Sequence, residues 1–85
     1  MPTLSTFYGI KITMNLNDHL PPHFHAEYRD FEVTVEMASG LVTGKMLRRA
    51  LNLVWSWLDD YRDEIMENWE RAQARQVLKP VNPLR

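Results

Sequence analysis

Residues 23–37 have the sequence HFHAEYRDFEVTVEM, which predicts two antiparallel strands joined by a tight turn. Apolar and polar side chains alternate on both sides of Arg29-Asp30, and a period of two is typical of strands buried on one face. Strands over residues 23–28 and 31–37 therefore form a hairpin around that dipeptide. Their apolar side chains share one face, which has to be covered by another part of the chain.

Further strands are predicted on both sides of this hairpin. Alternation over residues 8–14 predicts a strand with Tyr8 on its buried face. Residues 15–22 contain Asx residues and a Pro-Pro pair, which favour a loop because proline lacks the hydrogen-bond donor of a strand. After a turn at Ser39-Gly40, residues 41–43 are predicted to form a short fourth strand. Short connections favour an antiparallel meander of three to four strands.

The second half of the chain is predicted to be helical. No proline or glycine occurs from Lys45 to Arg75, and the apolar period becomes that of a helix. A straight helix of about 30 residues would be about 45 Å long, whereas a domain of this size is roughly 30 Å across. Acidic residues from Asp59-Asp60 onward suit a helix N-terminus, which favours a break there. An unbroken helix that pairs in a dimer is the alternative.

The predicted fold is therefore α+β. A small antiparallel meander of three to four strands is followed by one long kinked helix or by two consecutive C-terminal helices, packed on the sheet. Residues 1–76 form a single domain in this interpretation, and residues 77–85 form an extended tail that contains Pro80 and Pro83. The tail either packs back onto the domain or docks onto a partner.

Composition excludes several classes of protein. With 85 residues and no cysteine, the chain forms one domain without disulfides or thiolate metal sites. The net charge of −1 provides no general attraction to nucleic acid or to anionic lipid. No apolar run approaches the roughly 20 residues that span a bilayer, and the first residues lack the basic region of a signal peptide. We expect a cytoplasmic protein that does not associate with membranes.

All three histidines lie within residues 17–27, which read NDHLPPHFHAE. On a strand, His23, His25 and Glu27 project from one face at steps of about 7 Å. Imidazole nitrogen and carboxylate oxygen are common ligands of zinc and of iron, manganese or nickel. His19 or Asp18, from the preceding loop, would complete the set. The predicted cofactor, if the chain has one, is a divalent metal such as zinc.

Two other interpretations of the histidine segment stay open. A histidine has an ordinary pKa near 6.5 and suits general acid–base catalysis, but the sequence offers no nucleophile to pair with it, so no catalytic residue is assigned. Alternatively, Asp18, His19, His23 and His25 order the loop or contact a ligand or a partner chain.

Arg48 and Arg49 are the candidate residues for binding nucleic acid. Two arginines near the start of a helix can hold a phosphate group. They also suit a solvated helix face, and the chain contains neither a recognised nucleic-acid-binding motif nor a phosphate-binding glycine loop. Nucleic acid is therefore a weakly supported partner.

Four stretches of the sequence are distinctive in combination. They read FYG at residues 7–9, NDHLPPHFHAEY at 17–28, RRAL at 48–51 and ENW at 67–69. Together they resemble a family of short bacterial and archaeal proteins called domain of unknown function 4160, over nearly the whole chain. Arg29 departs from the family pattern, where a small turn residue such as glycine is expected, and Met46-Leu47 stands where a proline often begins the helix.

The family has no established activity, so the resemblance assigns no catalytic residue. It implies a small interaction protein that works with a partner chain, because of the genetic neighbours and descriptions of the family's members. Its members are frequent genetic neighbours of another small uncharacterised family, and some are described as toxin–antitoxin components or regulators. The first hypothesis is thus a non-enzymatic interaction or regulatory module, half of a two-gene toxin–antitoxin-like pair, with a small partner encoded nearby or a homo-oligomer. The second is a metal-binding protein or small metalloenzyme. The third is a nucleic-acid-binding protein or ribonuclease-type toxin.

Overall fold

The computed structural model describes residues 2–85, which form one sheet and one helix. The elements, in chain order, are β1 (Thr3–Phe7), β2 (Ile10–Thr13), β3 (His23–Tyr28), β4 (Phe31–Glu36), β5 (Val42–Gly44) and α1 (Arg48–Gln73). Neighbouring strands pair antiparallel in the order β1-β2-β3-β4-β5. The predicted α+β class and the meander followed by a helix are confirmed, with one strand more than predicted.

The first predicted strand is wrong at its beginning. Tyr8 and Gly9 form the turn between β1 and β2, with φ angles of 49° and 81°. Two-residue hairpin turns commonly need positive φ at both positions, so Tyr8 leaves the sheet and is 60% exposed. The strand before this turn was not predicted. Its register shifts between Thr3 and Ser5, so Leu4 and Ser5 are both buried and the alternation is interrupted.

The hairpin of β3 and β4 is confirmed. His25 lies opposite Thr34, and His23 lies opposite Glu36. Arg29 in the connecting turn has a φ of 56°, which is the backbone conformation that glycine adopts most readily. The strand predicted at residues 41–43 is β5, displaced by one residue.

Helix α1 has 26 residues and is kinked at Tyr61, where φ is −124° and ψ is 24°. The break predicted near Asp59-Asp60 thus lies one residue before the observed kink. A straight helix of this length would measure about 39 Å, whereas the longest dimension of the molecule is 33 Å. The kink therefore lets both halves of α1 pack against the sheet.

The core lies between α1 and one face of the sheet. Trp57 is fully buried, and its ring centroid is 5.5 Å from the centroids of both Phe7 and Phe24. The other face carries polar side chains of β3, β4 and β5, including Thr34 and Thr43, that are partly or fully exposed. The polar face of the sheet is thus available for a site.

The tail packs back onto the domain. The N–H of Val81 donates to the carbonyl of Leu4 at 2.9 Å, and Val81 is only 4% exposed. The indole N–H of Trp57 donates to the carbonyl of Asn82 at 2.8 Å. Within residues 2–85, no helix combines the length and hydropathy that crossing a bilayer requires.

Candidate metal site

The loop over residues 15–22 connects β2 to β3 and is held against the end of α1. The N–H of Asn17 donates to the carbonyl of Ala72 at 2.9 Å. The side-chain amide of Gln73 donates to the carbonyl of Asp18 at 3.0 Å. The Leu20–Pro21 peptide bond in this loop is cis. These contacts place the Asp18 side chain over the beginning of β3.

Three side chains with metal-ligand chemistry converge there. Asp18, His23 and His25 each offer one ligand atom, and these atoms all lie within 4.8 Å of one another. Oδ2 of Asp18 is 3.1 Å from Nε2 of His23 and 3.8 Å from Nε2 of His25. We call these three residues the Asp–His cluster.

The surroundings of His23 define which of its ring atoms faces the cluster. Its side chain is only 7% exposed and contacts the ring of Trp69, with centroids 5.4 Å apart. Nδ1 lies 2.8 Å from the carbonyl oxygen of Pro21, and a carbonyl only accepts, so Nδ1 carries a hydrogen. Nε2 then faces the Asp18 carboxylate. The contact between His23 Nε2 and Asp18 Oδ2 is favourable if the ring is protonated on Nε2 as well as on Nδ1, or if Nε2 and Oδ2 bind the same cation.

Asp18 is held as a carboxylate. Burial by itself would raise the pKa of Asp18. Against this, the His19 N–H donates to Oδ1 at 2.8 Å and the Asn15 amide donates to Oδ2 at 3.2 Å. His23 and His19, when they are protonated, also favour the anion. The sum of these contributions lowers the pKa of Asp18 below its ordinary value. An ionised carboxylate is the form that binds a metal ion.

The cluster opens into a cleft of about 470 Å³ on the polar face of the sheet. Besides the cluster, its walls include Asn15, His19, Pro21, Thr34, Glu36 and Thr43. The strand register explains this composition, because Thr34 lies opposite His25 on one side and Thr43 on the other. The volume is in the range of small-molecule sites, about 300–1,000 Å³.

The other residues predicted for the site lie at different distances from the cluster. His19 is at the mouth of the cleft, with Nε2 3.7 Å from Oδ1 of Asp18. Glu27 is on the same face of β3 but outside the cluster, paired with Lys11 and Glu32 in the ladder. The cluster lies at the end of β3 that adjoins the loop, and Glu27 is one step of about 7 Å beyond His25 towards the other end of the strand.

Arg48 and Arg49 are exposed at the beginning of α1 and do not line the cleft. The guanidinium carbon of Arg48 is 5.7 Å from the centroid of the Trp55 ring. Cation–aromatic contacts of this kind occur within about 6 Å, so Arg48 has an intramolecular contact. Phosphate binding by these two residues stays a prediction.

Sequence reasoning missed four polar residues that line the cleft beside the cluster. Thr34 and Glu36 could have been found, because the polar face of the predicted hairpin places them next to His25 and His23. Thr43 could have been found only from the pairing of β5 with β4, which places it opposite Thr34. No sequence pattern pointed to Asn15, because its contacts depend on the path of the loop. Its side-chain amide is 3.2 Å from Asp18 Oδ2 and 3.4 Å from His25 Nε2.

Comparison with known proteins identifies a family to which the sequence is similar. The family model described as "Domain of unknown function (DUF4160)" matches residues 9–70. This region includes the whole Asp–His cluster and most of α1. No curated protein and no solved structure matches the chain.

Proposed function

The chain belongs to the DUF4160 family, a domain of unknown function, and we propose that it binds a divalent first-row metal ion such as zinc through Asp18, His23 and His25. The observation that carries this proposal is the convergence of three ligand atoms within 4.8 Å. They come from a strand and from a loop held against the helix end.

The two distances from Asp18 to the histidines suit a single ion. Two ligand atoms bound at about 2.1 Å to a tetrahedral ion lie about 3.4 Å apart. The distances from Asp18 Oδ2 to the two Nε2 atoms, 3.1 and 3.8 Å, lie on either side of that value. The hydrogen bond from His23 Nδ1 to the Pro21 carbonyl is of the kind that orients ligating imidazoles. Small side-chain shifts would therefore complete the site.

The ligand chemistry restricts the class of ion. Two imidazole nitrogens and one carboxylate oxygen suit zinc, iron, manganese or nickel, whereas calcium and magnesium prefer oxygen ligands. Three protein ligands leave at least one coordination position for water or another ligand, as in many zinc sites. That position would face the cleft.

Calorimetric titration of chelator-treated, tag-free protein tests the proposal. We expect zinc to bind saturably at one ion per chain and magnesium to bind far more weakly. Asp18→Asn and His25→Ala should each weaken zinc binding by at least about tenfold, because loss of even an outer-shell partner typically costs 10–100-fold. Glu27→Gln is the matched control, since it changes a carboxylate on the same face of β3 outside the cluster, and it should bind zinc like the wild type.

Two results would contradict the proposal. One is the absence of a saturable zinc isotherm for the wild type. The other is an equal loss of affinity in Glu27→Gln. Either result would leave the cluster as an imidazolium–carboxylate pair that orders the loop, and Asp18→Asn would then change only the stability of the fold.

The remaining hypotheses stay predictions. They are a toxin–antitoxin-like pair with a small partner chain, a homo-oligomer, nucleic-acid binding and a cytoplasmic location. We favour metal binding over these alternatives because it has a specific geometric support, the convergence of Asp18, His23 and His25.

A further inference from the structure

We infer that His19 is a fourth, exchangeable ligand of the metal ion, which closes the coordination position facing the cleft until a small oxygen or nitrogen donor displaces it. The inference rests on the proposed function, because it assumes an ion at Asp18, His23 and His25. It adds a regulated access to that ion, which the three-ligand site alone does not provide.

The position of His19 is the first argument. Its Nε2 is 3.7 Å from Oδ1 of Asp18, the oxygen beside the Oδ2 that faces His23 and His25. His19 lies outside the group of three converging ligand atoms, so a rotation of its side chain is needed to bring Nε2 to the ion. Its ring is stacked on that of His23, with centroids 5.0 Å apart and planes at 29°. His19 thus already lies beside two of the three proposed ligands, at the mouth of the cleft.

The orientation of the His19 ring is the second argument. Nδ1 is 3.2 Å from the carbonyl oxygen of Leu20, and since a carbonyl only accepts, Nδ1 carries the hydrogen of that bond. The neutral ring then has its lone pair on Nε2, the atom nearer to Asp18. His23 presents the same atom to the cluster through its bond to Pro21.

Burial separates His19 from the other two histidines. The His19 side chain is 81% exposed, compared with 7% for His23 and 17% for His25. Its backbone is nevertheless fixed, because its N–H donates to Asp18 Oδ1 at 2.8 Å. An anchored backbone with an exposed side chain suits a ligand that binds and leaves, whereas His23 is enclosed and suits a permanent ligand.

The cleft indicates what would displace His19. Thr34 and Thr43 provide hydroxyl groups and Glu36 provides a carboxylate on its walls. A small polar molecule with one metal-binding atom, together with hydrogen-bond donors and acceptors, matches these groups. Azide is a suitable probe of the coordination position itself, because it is small and binds metal ions through nitrogen.

A thiol at position 19 gives a direct test. The chain contains no cysteine, so in His19→Cys loaded with cobalt(II) any thiolate-to-cobalt charge-transfer absorption must come from residue 19. We expect this band to appear and to saturate at one cobalt per chain. Leu16→Cys is the control, because Leu16 is an exposed residue of the same loop outside the cleft, and it should show no such band. Absence of the band in His19→Cys, with cobalt bound, would overturn the inference.

Azide titration of the cobalt-loaded protein gives the second test. In His19→Ala we expect cobalt affinity to fall by at least about tenfold and azide to bind more tightly than to the wild type, because no side chain competes for the position. If the wild type and His19→Ala bind cobalt equally well and also bind azide equally well, the inference about His19 is overturned but the proposed metal site is not. Failure of the wild type to bind zinc or cobalt would instead refute the proposed function.

Discussion

The side-chain amide of Asn68 binds both backbone groups of Lys79. Its Nδ2 donates to the Lys79 carbonyl at 2.9 Å, and its Oδ1 accepts from the Lys79 N–H at 2.7 Å. Asn68 is 1% exposed although it lies on α1, so these bonds replace the water that its amide would otherwise contact. The tail is thereby attached to the second half of the helix.

Asn68→Ala should destabilise the fold by about 1–3 kcal/mol, because buried polar groups then lose their partners. Urea unfolding followed by tryptophan fluorescence measures this change. Asn52→Ala is the matched control, since Asn52 is an exposed asparagine of the same helix and the substitution brings the same gain in helix propensity, up to about 0.7 kcal/mol. Equal stabilities of the two variants would show that the Asn68–Lys79 contact contributes nothing.

The pH dependence of stability should contain a contribution from Asp18. In the folded, metal-free chain the pKa of Asp18 is below its ordinary value, which is about 3.9. Its carboxylate therefore contributes stability that is fully present above the unfolded pKa and is lost as the pH falls through the lower folded pKa. Unfolding in the presence of chelator should show the wild type losing its advantage over Asp18→Asn as the solution is acidified. A stability difference independent of pH would contradict this assignment.

Zinc should raise the melting temperature of the wild type. An ion that binds only the folded state at 100 times its Kd stabilises it by about 2.7 kcal/mol. In a domain of this size 1 kcal/mol corresponds to about 4–8 °C, so we expect a rise of about 10 °C or more, reversed by EDTA. Glu27→Gln should show the same rise in a circular dichroism melt, and Asp18→Asn should show little. A similar rise in both variants would indicate unspecific binding.

Gly44 in β5 should tolerate a side chain less well than Gly40. Both have positive φ angles, 111° and 75°, which strain an alanine. A Cβ on Gly44 would also lie 2.8 Å from the carbonyl oxygen of Glu32, whereas on Gly40 its nearest neighbour would be at 3.5 Å. We expect Gly44→Ala to cost about 1–3 kcal/mol and Gly40→Ala about 1 kcal/mol in urea unfolding. The reverse order would contradict the close approach of β5 to β4 at Gly44.

Periodicity predicted the elements whose patterns are regular. The hairpin of β3 and β4 and the helix could be found because apolar spacing along the chain is a local property. The kink could be anticipated from length, since a straight helix would exceed the size of the molecule. The turn at Tyr8-Gly9 could not be predicted, because a tyrosine with positive φ has no local sequence signal. The register shift in β1 interrupts the alternation that would have identified that strand.

The sequence by itself determined that His23 and His25 project from the same face of one strand, because successive side chains of a strand alternate. Only the tertiary structure decided which carboxylate joins them. The loop is held to the end of α1 through Asn17 and Gln73, and this brings Asp18 to the histidines. Glu27 is nearer to His25 in the sequence, but the direction of β3 carries it away from the cluster.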